Sequence, residues 1–252
     1  MNDANRVHDG LQAVLASGGR GRELAERLCT ACADLLGVDG GALSVGRAGA
    51  AGGCVGSSDA LSRELDDLQF THGEGPSIDA ARQGTLVLVP DLIEHGAERW
   101  PTFASAAIQR GVRSIFALPV SLASAPVGVL ALYRTRPGDL NDTAMTGGLL
   151  AAELASLPLL DLISGDLDAP GVDLSSSADR ELTLITRVEV YQATGMLTVQ
   201  LDVGPAEALV RLRGYAFAHD RNVNDVAWDI VERRLRLDAD DAWRTHEKDV
   251  TP

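Results

Sequence analysis

Ser114-Ile115-Phe116-Ala117-Leu118-Pro119-Val120-Ser121 and Val127-Gly128-Val129-Leu130-Ala131-Leu132-Tyr133-Arg134, joined through Ala123-Ser124-Ala125-Pro126, decide the fold of the first part of the chain. Both runs are short, apolar and rich in β-branched and aromatic residues, and small and proline residues lie between them. This predicts two adjacent antiparallel strands. Working outward, residues 85–89 read as a third strand, and 42–45 and 52–56 as two short strand-like pieces. Helical spacing at Leu11, Val14, Leu15, Leu24, Leu28 and Leu35 is interrupted at Gly18-Gly19. Further helices are predicted over 61–68, near 77–82 after the turn Gly73-Glu74-Gly75-Pro76, over 103–110, and from about 141 to 160. Strands gathered into a sheet, with helices before and after, indicate an α+β domain with an antiparallel sheet rather than a regular parallel array.

The last quarter of the chain changes period. Val223, Val226, Ala227, Ile230, Val231 and Leu235 recur at the three-and-four interval of an amphipathic helix, with Asn222 as its cap and Asp225 three residues on. A second helix opens at Gly204-Pro205 and carries Leu209, Leu212 and Ala216. A first carries Leu182, Ile185, Val188, Met196 and Val199, and Gly195 within it suggests close approach of a second helix. The expected C-terminal unit is therefore all-α, with three helices.

At 252 residues and 45 % apolar composition the chain has room for two cores. Acidic, small and proline residues over 165–173, then Ser175, Ser176 and Ser177, read as a linker. The expected organisation is an α+β domain over 10–164, a linker over 165–178, a three-helix domain over 179–237 and an acidic tail over 238–252. No run of 18 apolar residues appears, and the start lacks the basic-then-apolar order of a secretory signal, so a cytoplasmic protein without membrane attachment is expected. Cys29 and Cys32 have the spacing of half a metal site, but they fall in an apolar helical stretch with no second pair. They read as buried helix cysteines, and no metal is expected.

No catalytic constellation is visible. His8, His72, His95, His219 and His246 are scattered without a nucleophile partner, and there is no phosphate loop or dinucleotide fingerprint. Glu64, Asp66 and Asp67 read as a solvated helix face. The expectation is a non-enzyme without a resident cofactor. The formal net charge of −14 argues against loose binding to nucleic acid, but residues 180–236 hold eight arginines and eight acidic residues, so that region is neutral.

The strings Val190-Tyr191-Gln192-Ala193-Thr194-Gly195-Met196-Leu197, Pro205-Ala206-Glu207-Ala208, Leu212-Arg213, Val226-Ala227 and Ile230-Val231 resemble the ANTAR domain, a family of RNA-binding antiterminators. The resemblance covers about 55 residues. It implies recognition of paired RNA hairpin loops near a terminator, by a homodimer. Single-stranded loops offer bases for hydrogen bonding and stacking, which arginine and asparagine suit. The candidate RNA contacts are Arg211, Arg213, Arg221, Asn222 and Asn224, with Arg187, Gln192 and Thr194 on the first helix; other branches carry lysine where Thr194 stands. The competing reading is structural: Asn222 as a cap, Arg213 paired with Asp225 or Asp229, and Trp228 in a core or interface.

Upstream, Gly73-Glu74-Gly75-Pro76-Ser77-Ile78-Asp79-Ala80, Val87-Leu88-Val89-Pro90-Asp91-Leu92, Gly111-Val112-Arg113-Ser114 and Leu118-Pro119-Val120 resemble a GAF domain of the kind that often precedes ANTAR. This resemblance implies a pocket for an unidentified small molecule between the sheet and its covering loops, or else a platform for an upstream signalling protein. Gln69, Phe70, His72, Glu74, Ser77, Asp79, Trp100 and Phe103 are the candidate lining residues. Related domains often carry cysteine where Ser77 stands, so thiol sensing is not implied. Against a pocket, Gly73 and Gly75 serve a tight turn, Asp79 caps its helix and the aromatics are core.

Together these readings lead to a signal-responsive transcription antitermination regulator. Two alternatives remain: a DNA-binding helix-turn-helix regulator, disfavoured by Asp225, Asp229 and Glu232 on the third helix, and a protein-binding signalling module without nucleic-acid affinity.

Overall fold

The computed structural model describes residues 3–47, 50–123, 125–167, 187–237 and 243–245. The chain divides into two units, Met1–Ile185 and Thr186–Pro252. In the first, the elements run α1 (Asp3–Ala16), α2 (Gly21–Leu36), β1 (Gly40–Arg47), β2 (Ala50–Ser57), α3 (Ala60–His72), α4 (Pro76–Gln83), β3 (Val87–Val89), α5 (Leu92–His95), α6 (Pro101–Gln109), β4 (Ser114–Leu122), β5 (Ala125–Arg134), α7 (Asp142–Leu154) and α8 (Ser156–Leu167).

The five strands form one sheet in the order β2-β1-β5-β4-β3, with every neighbouring pair antiparallel. The β4–β5 hairpin sits near its centre, with Phe116 opposite Leu132 and Leu118 opposite Leu130. Successive side chains of a strand point to opposite faces, and here both faces are covered. Leu43, Phe116, Leu118, Val120, Leu130 and Leu132 enter a core shared with α1, α2, α7 and α8. Val87, Val89, Ile115, Ala117, Val129 and Tyr133 enter a second core with Leu65, Ala80, Trp100 and Phe103. Each fully buried leucine or phenylalanine contributes roughly 1.5–3 kcal/mol.

Local chemistry sets the helix boundaries. Asp59 Oδ1 accepts from the Ser62 amide at 2.8 Å to cap α3, and Asn141 Oδ1 accepts from the Ala144 amide at 2.9 Å to cap α7. The single helix expected over 141–160 is two helices, because Pro158 has no amide hydrogen to donate toward Leu154 and the first helix ends there. The stretch Asp142–Leu162 is long and apolar enough to cross a membrane by length and composition, with mean hydropathy 1.3. Ala151, Ala155 and Leu159 within it are nonetheless fully buried in the first core. Helix α5, absent from the sequence reading, is held by Asp91 Oδ1 accepting from the Ile93 amide at 3.0 Å. Cys29 and Cys32 are buried in the first core as expected, and burial pushes the Cys32 thiol up to about 12.

The second unit contains α9 (Val188–Leu201), α10 (Pro205–Ala218), α11 (Val223–Val231), β6 (Leu235–Leu237) and β7 (Trp243–Thr245). Val190, Ala193, Leu197, Ala208, Leu212, Ala216, Val223, Val226, Ala227 and Ile230 are fully buried. Three details correct the sequence reading. Val199, expected on the inner face of its helix, is 84 % exposed, because α9 turns Val190, Ala193, Thr194 and Leu197 inward instead. Gly195 meets no other residue: a methyl group added there finds nothing within 4 Å. Leu235 is buried not on the third helix but in β6, which pairs antiparallel with β7, so part of the expected acidic tail is a strand. Helix α8 extends to Leu167, into the expected linker; the remainder of that linker, with Leu182 and Ile185, lies outside the described residues.

Two glycines predict opposite responses to one added methyl group. A Cβ at Gly56 would stand 2.6 Å from the backbone of Ala25 and Glu26, where β2 passes against α2. Gly56→Ala should therefore destabilise the first unit by about 1–3 kcal/mol in denaturant titration. Gly195→Ala, in an open helix interior, should stabilise the second by up to ~1 kcal/mol.

Candidate functional site

Helix α3 buries Ser62, Leu65, Asp66, Gln69, Phe70 and Thr71, so four of its six buried positions are polar. Gln69 is the hub. Its Oε1 accepts from the Ser77 amide at 2.7 Å, and its Nε2 donates to Ser77 Oγ at 3.0 Å, so the end of α3 and the start of α4 hold each other reciprocally. Gly75 permits this with φ at 141°, and a Cβ there would lie 2.4 Å from Gln69 Cγ.

The neighbouring candidates join α4 to α6. Glu74 Oε1 accepts from the amides of Thr102 at 2.7 Å and Phe103 at 2.9 Å, satisfying two donors that the first turn of α6 leaves open. Asp79 does not cap its own helix. Its Oδ2 accepts from Arg99 at 2.9 Å and from Trp100 Nε1 at 3.2 Å, while the Arg99 guanidinium stacks 4.3 Å above the Trp100 ring. Trp100, Phe103 and Phe70 are buried. His72 is half-buried, and its burial pushes the imidazole below its ordinary range against the pull of Glu74.

Gln69, Phe70 and Ser77 line a cavity of about 20 Å³, together with Ser44, Gly52 and Asp66. A second, of about 10 Å³, lies between Ala42, Ser62, Asp66, Gln69 and Tyr133. Each has room for about one water. A metabolite-sized molecule enters this face only if Gln69, Phe70 and Ser77 move.

Asp66 corrects the sequence reading. It is not on a solvated face but buried, borders both cavities and accepts from the Ser44 hydroxyl. Nearby, burial and the Asp66 charge push the Cys54 thiol up to about 12, which makes it an inert thiol at neutral pH. Asp66 and Ser44 are the site residues that the sequence reading missed. The usable signal was the spacing of Ser62, Asp66 and Gln69 on one helix face.

In the second unit the candidate RNA contacts separate by burial. Arg187 is 1 % exposed and donates from Nη1 to Asn224 Oδ1 at 3.2 Å; Thr194 is 7 % exposed and donates to the Val190 carbonyl at 2.6 Å. Both are out of reach of an external ligand in this conformation. Asn222 Oδ1 accepts from the Asn224 amide at 2.8 Å and caps α11. Arg221 pairs with Asp229 at 2.7 Å, Arg234 pairs with the same carboxylate at 2.7 Å, and Arg211 pairs with Glu207 at 2.7 Å. Burial pushes the Asp229 carboxyl up, but the bonds from both arginines outweigh this and hold it below the usual range. Arg213 is half-buried on α10 and Gln192 is exposed on α9. Tyr191, Phe217 and Trp228 are 49 %, 59 % and 40 % exposed, so Trp228 lies at the surface rather than in the core of this unit.

The family described as the GAF domain is matched over residues 22–157, which ends short of the second unit. The chain is also similar to many solved structures, two of them with a TM-score of 0.50. With the GAF domain from Acinetobacter phosphoenolpyruvate-protein phosphotransferase it shares 16 % identity and a TM-score of 0.50, covering 66 % of this chain and 99 % of that one. With the GAF domain from the phosphoenolpyruvate-protein phosphotransferase of Coxiella burnetii it shares 11 % identity and a TM-score of 0.50, covering 66 % of this chain and 98 % of that one. At such identities the likeness carries the fold alone. No curated protein matches the chain.

Two outcomes test the site. Gln69→Leu strips two hydrogen bonds from the buried Ser77 and should cost about 1–3 kcal/mol, read as a fall in the unfolding midpoint. Asp59 is pushed up by burial, but bonds from Ser58, Ser62 and Tyr133 hold it below the usual carboxylate range. Its stabilisation is therefore present above about pH 4 and lost as pH falls through the lowered value. Asp59→Asn should be less stable than wild type at neutral pH, and the gap should close in strong acid.

Proposed function

The chain belongs to the GAF-domain family, and from that premise we propose that it is a signal-responsive transcription antitermination regulator. Its first unit is a GAF sensor domain, a signalling module. In this reading the second unit, ANTAR-like in sequence, binds paired hairpin-loop RNA as a homodimer in the cytoplasm. The input is a small molecule or an upstream signalling protein, and the protein performs no catalysis itself.

The observation that carries the reading is the match between the ANTAR-like strings and the core of the second unit. Val190, Ala193, Leu197, Ala208, Leu212, Val226, Ala227 and Ile230, all taken from those strings, are fully buried, alongside Ala216 and Val223 from outside them. Around them Arg211, Arg221 and Gln192 remain at the surface beside Tyr191, Phe217 and Trp228. Exposed aromatics with arginines suit unstacked bases and their phosphates. The ion pairs of Arg211 and Arg221 do not oppose this. The exposed Arg211–Glu207 pair is worth about 0–1 kcal/mol, less than a charge-assisted bond to phosphate, and the part-buried Arg221–Asp229 pair leaves Asp229 a second arginine, Arg234, if Arg221 turns to phosphate.

A second reading, a protein-binding signalling module, draws support from the same surface. Val199, Val210 and Phe217 are exposed apolar residues, and residues 180–236 carry no net charge.

Titrating the full chain into a paired-hairpin RNA, its loop-scrambled version and duplex DNA at two salt concentrations separates these readings. Loop-dependent binding is expected. The double variant Arg211→Ala/Arg221→Ala should weaken it roughly ten-fold and lower the salt slope by about 1–2. Equal or stronger duplex binding sinks the RNA reading, and no binding at either salt favours the protein-binding module.

A further inference from the structure

A cavity of about 260 Å³ opens within the second unit, between the C-terminal half of α9, the end of α11 and β6. It is more than ten times the size of the cavity of about 20 Å³ on the sensor face. Met196, Ile230 and Leu235 supply apolar wall, while Gln200, Arg233 and Arg236 supply the polar groups. Ile230 and Leu235 are buried, and the two arginines are exposed.

The polar groups are unused in a specific way. Gln200 Oε1 is buried and has no hydrogen-bond partner. A buried orphan acceptor costs about 1–3 kcal/mol, a cost relieved if the Gln200 amide turns toward the cavity and accepts from a bound donor. Among the described residues Arg233 and Arg236 form no ion pair, whereas Arg234, between them in sequence, is held by Asp229 and Glu232. Arg233 takes a left-handed backbone, φ 60°, with its amide donating to the Ile230 carbonyl at 3.0 Å, a conformation that a residue with a side chain adopts at a cost. Guanidinium forks favour carboxylate, and pockets for small molecules begin at roughly 300 Å³ with mostly apolar walls and a few convergent polar groups.

We propose that this cavity binds a small amphiphilic carboxylate, with its apolar body on Met196, Ile230 and Leu235, its carboxylate on Arg233 and Arg236, and an N–H or O–H donated to Gln200 Oε1. The site is independent of the RNA reading. A nucleic-acid backbone would use the arginines but has no apolar body to place on the wall.

The test uses the full chain with isotope-labelled methionine and isoleucine methyl groups, and the probes p-hydroxyphenylacetate, phenylacetate and p-cresol. The chain has 3 methionines, so the Met196 signal is readily assigned. Saturable shifts of the Met196 and Ile230 signals are expected with p-hydroxyphenylacetate. Phenylacetate, without the donor, and p-cresol, without the carboxylate, should each bind several-fold more weakly. Gln200→Leu removes the orphan acceptor, so it should raise the Tm while making the two carboxylates bind alike. Arg233→Ala/Arg236→Ala should weaken both carboxylates roughly ten-fold and leave p-cresol unchanged. The proposal is overturned if no probe shifts the two methyl signals at millimolar concentration, if p-cresol binds as well as the carboxylates, or if Gln200→Leu leaves the probe preference intact. It is overturned equally if hairpin RNA, and no carboxylate, perturbs these signals.

Discussion

Burial of the β4–β5 hairpin on both faces is the constraint on which the first unit depends. An antiparallel sheet with one wet face announces itself by alternation of apolar and polar residues; this one does not, because helices cover both sides. Phe116, Leu118, Leu130 and Leu132 point toward α1, α2, α7 and α8, while Ile115, Ala117, Val129, Ala131 and Tyr133, with Ala42 and Ser44 of β1, line the other side. The small residues in the middle of that face leave room for Gln69, Phe70, Trp100 and Phe103. A one-residue slip of register would exchange the two sets, and each is packed against its own helices, so packing selects the pairing.

What fills that room is bonded to itself. Gln69 with Ser77, Glu74 with the first turn of α6, and Asp79 with Arg99 and Trp100 form a chain of polar contacts from α3 through α4 to α6. In a low-dielectric setting such contacts are strong when complete and costly when broken. In the proposed sensing role, an input at this face would compete with internal partners and act by favouring an arrangement in which those partners have separated.

The second unit solves a different problem. Three short helices bury small and medium apolar side chains, and outside them Arg211, Arg221 and Arg234 are held by nearby carboxylates. The exceptions in this pattern, Arg233, Arg236 and the orphaned Gln200 oxygen, converge on one cavity. Exposed aromatics and valines lie elsewhere on the unit.

Much of the architecture was legible in the sequence, because strand composition, helical spacing, caps and glycine breaks are local properties. The β4–β5 hairpin, the break before α2, and Asn222 as the cap of α11 are each dictated within a few residues. The single helix read over 141–160 failed at Pro158, a local rule applied too weakly. What the sequence did not carry was direction and partnership. Asp66 reads as a solvated acid until the sheet is placed above it, and Arg187 and Thr194 read as surface contacts until α9 is rotated against α11. Glu74 and Asp79 lie within a few residues of Ser77, yet their partners are residues 99 to 103, brought to them by the chain's return through α6. Local spacing thus determined which elements form, while tertiary packing decided which face of each is buried and which polar groups find one another, because burial and long-range hydrogen bonds exist only once distant segments meet.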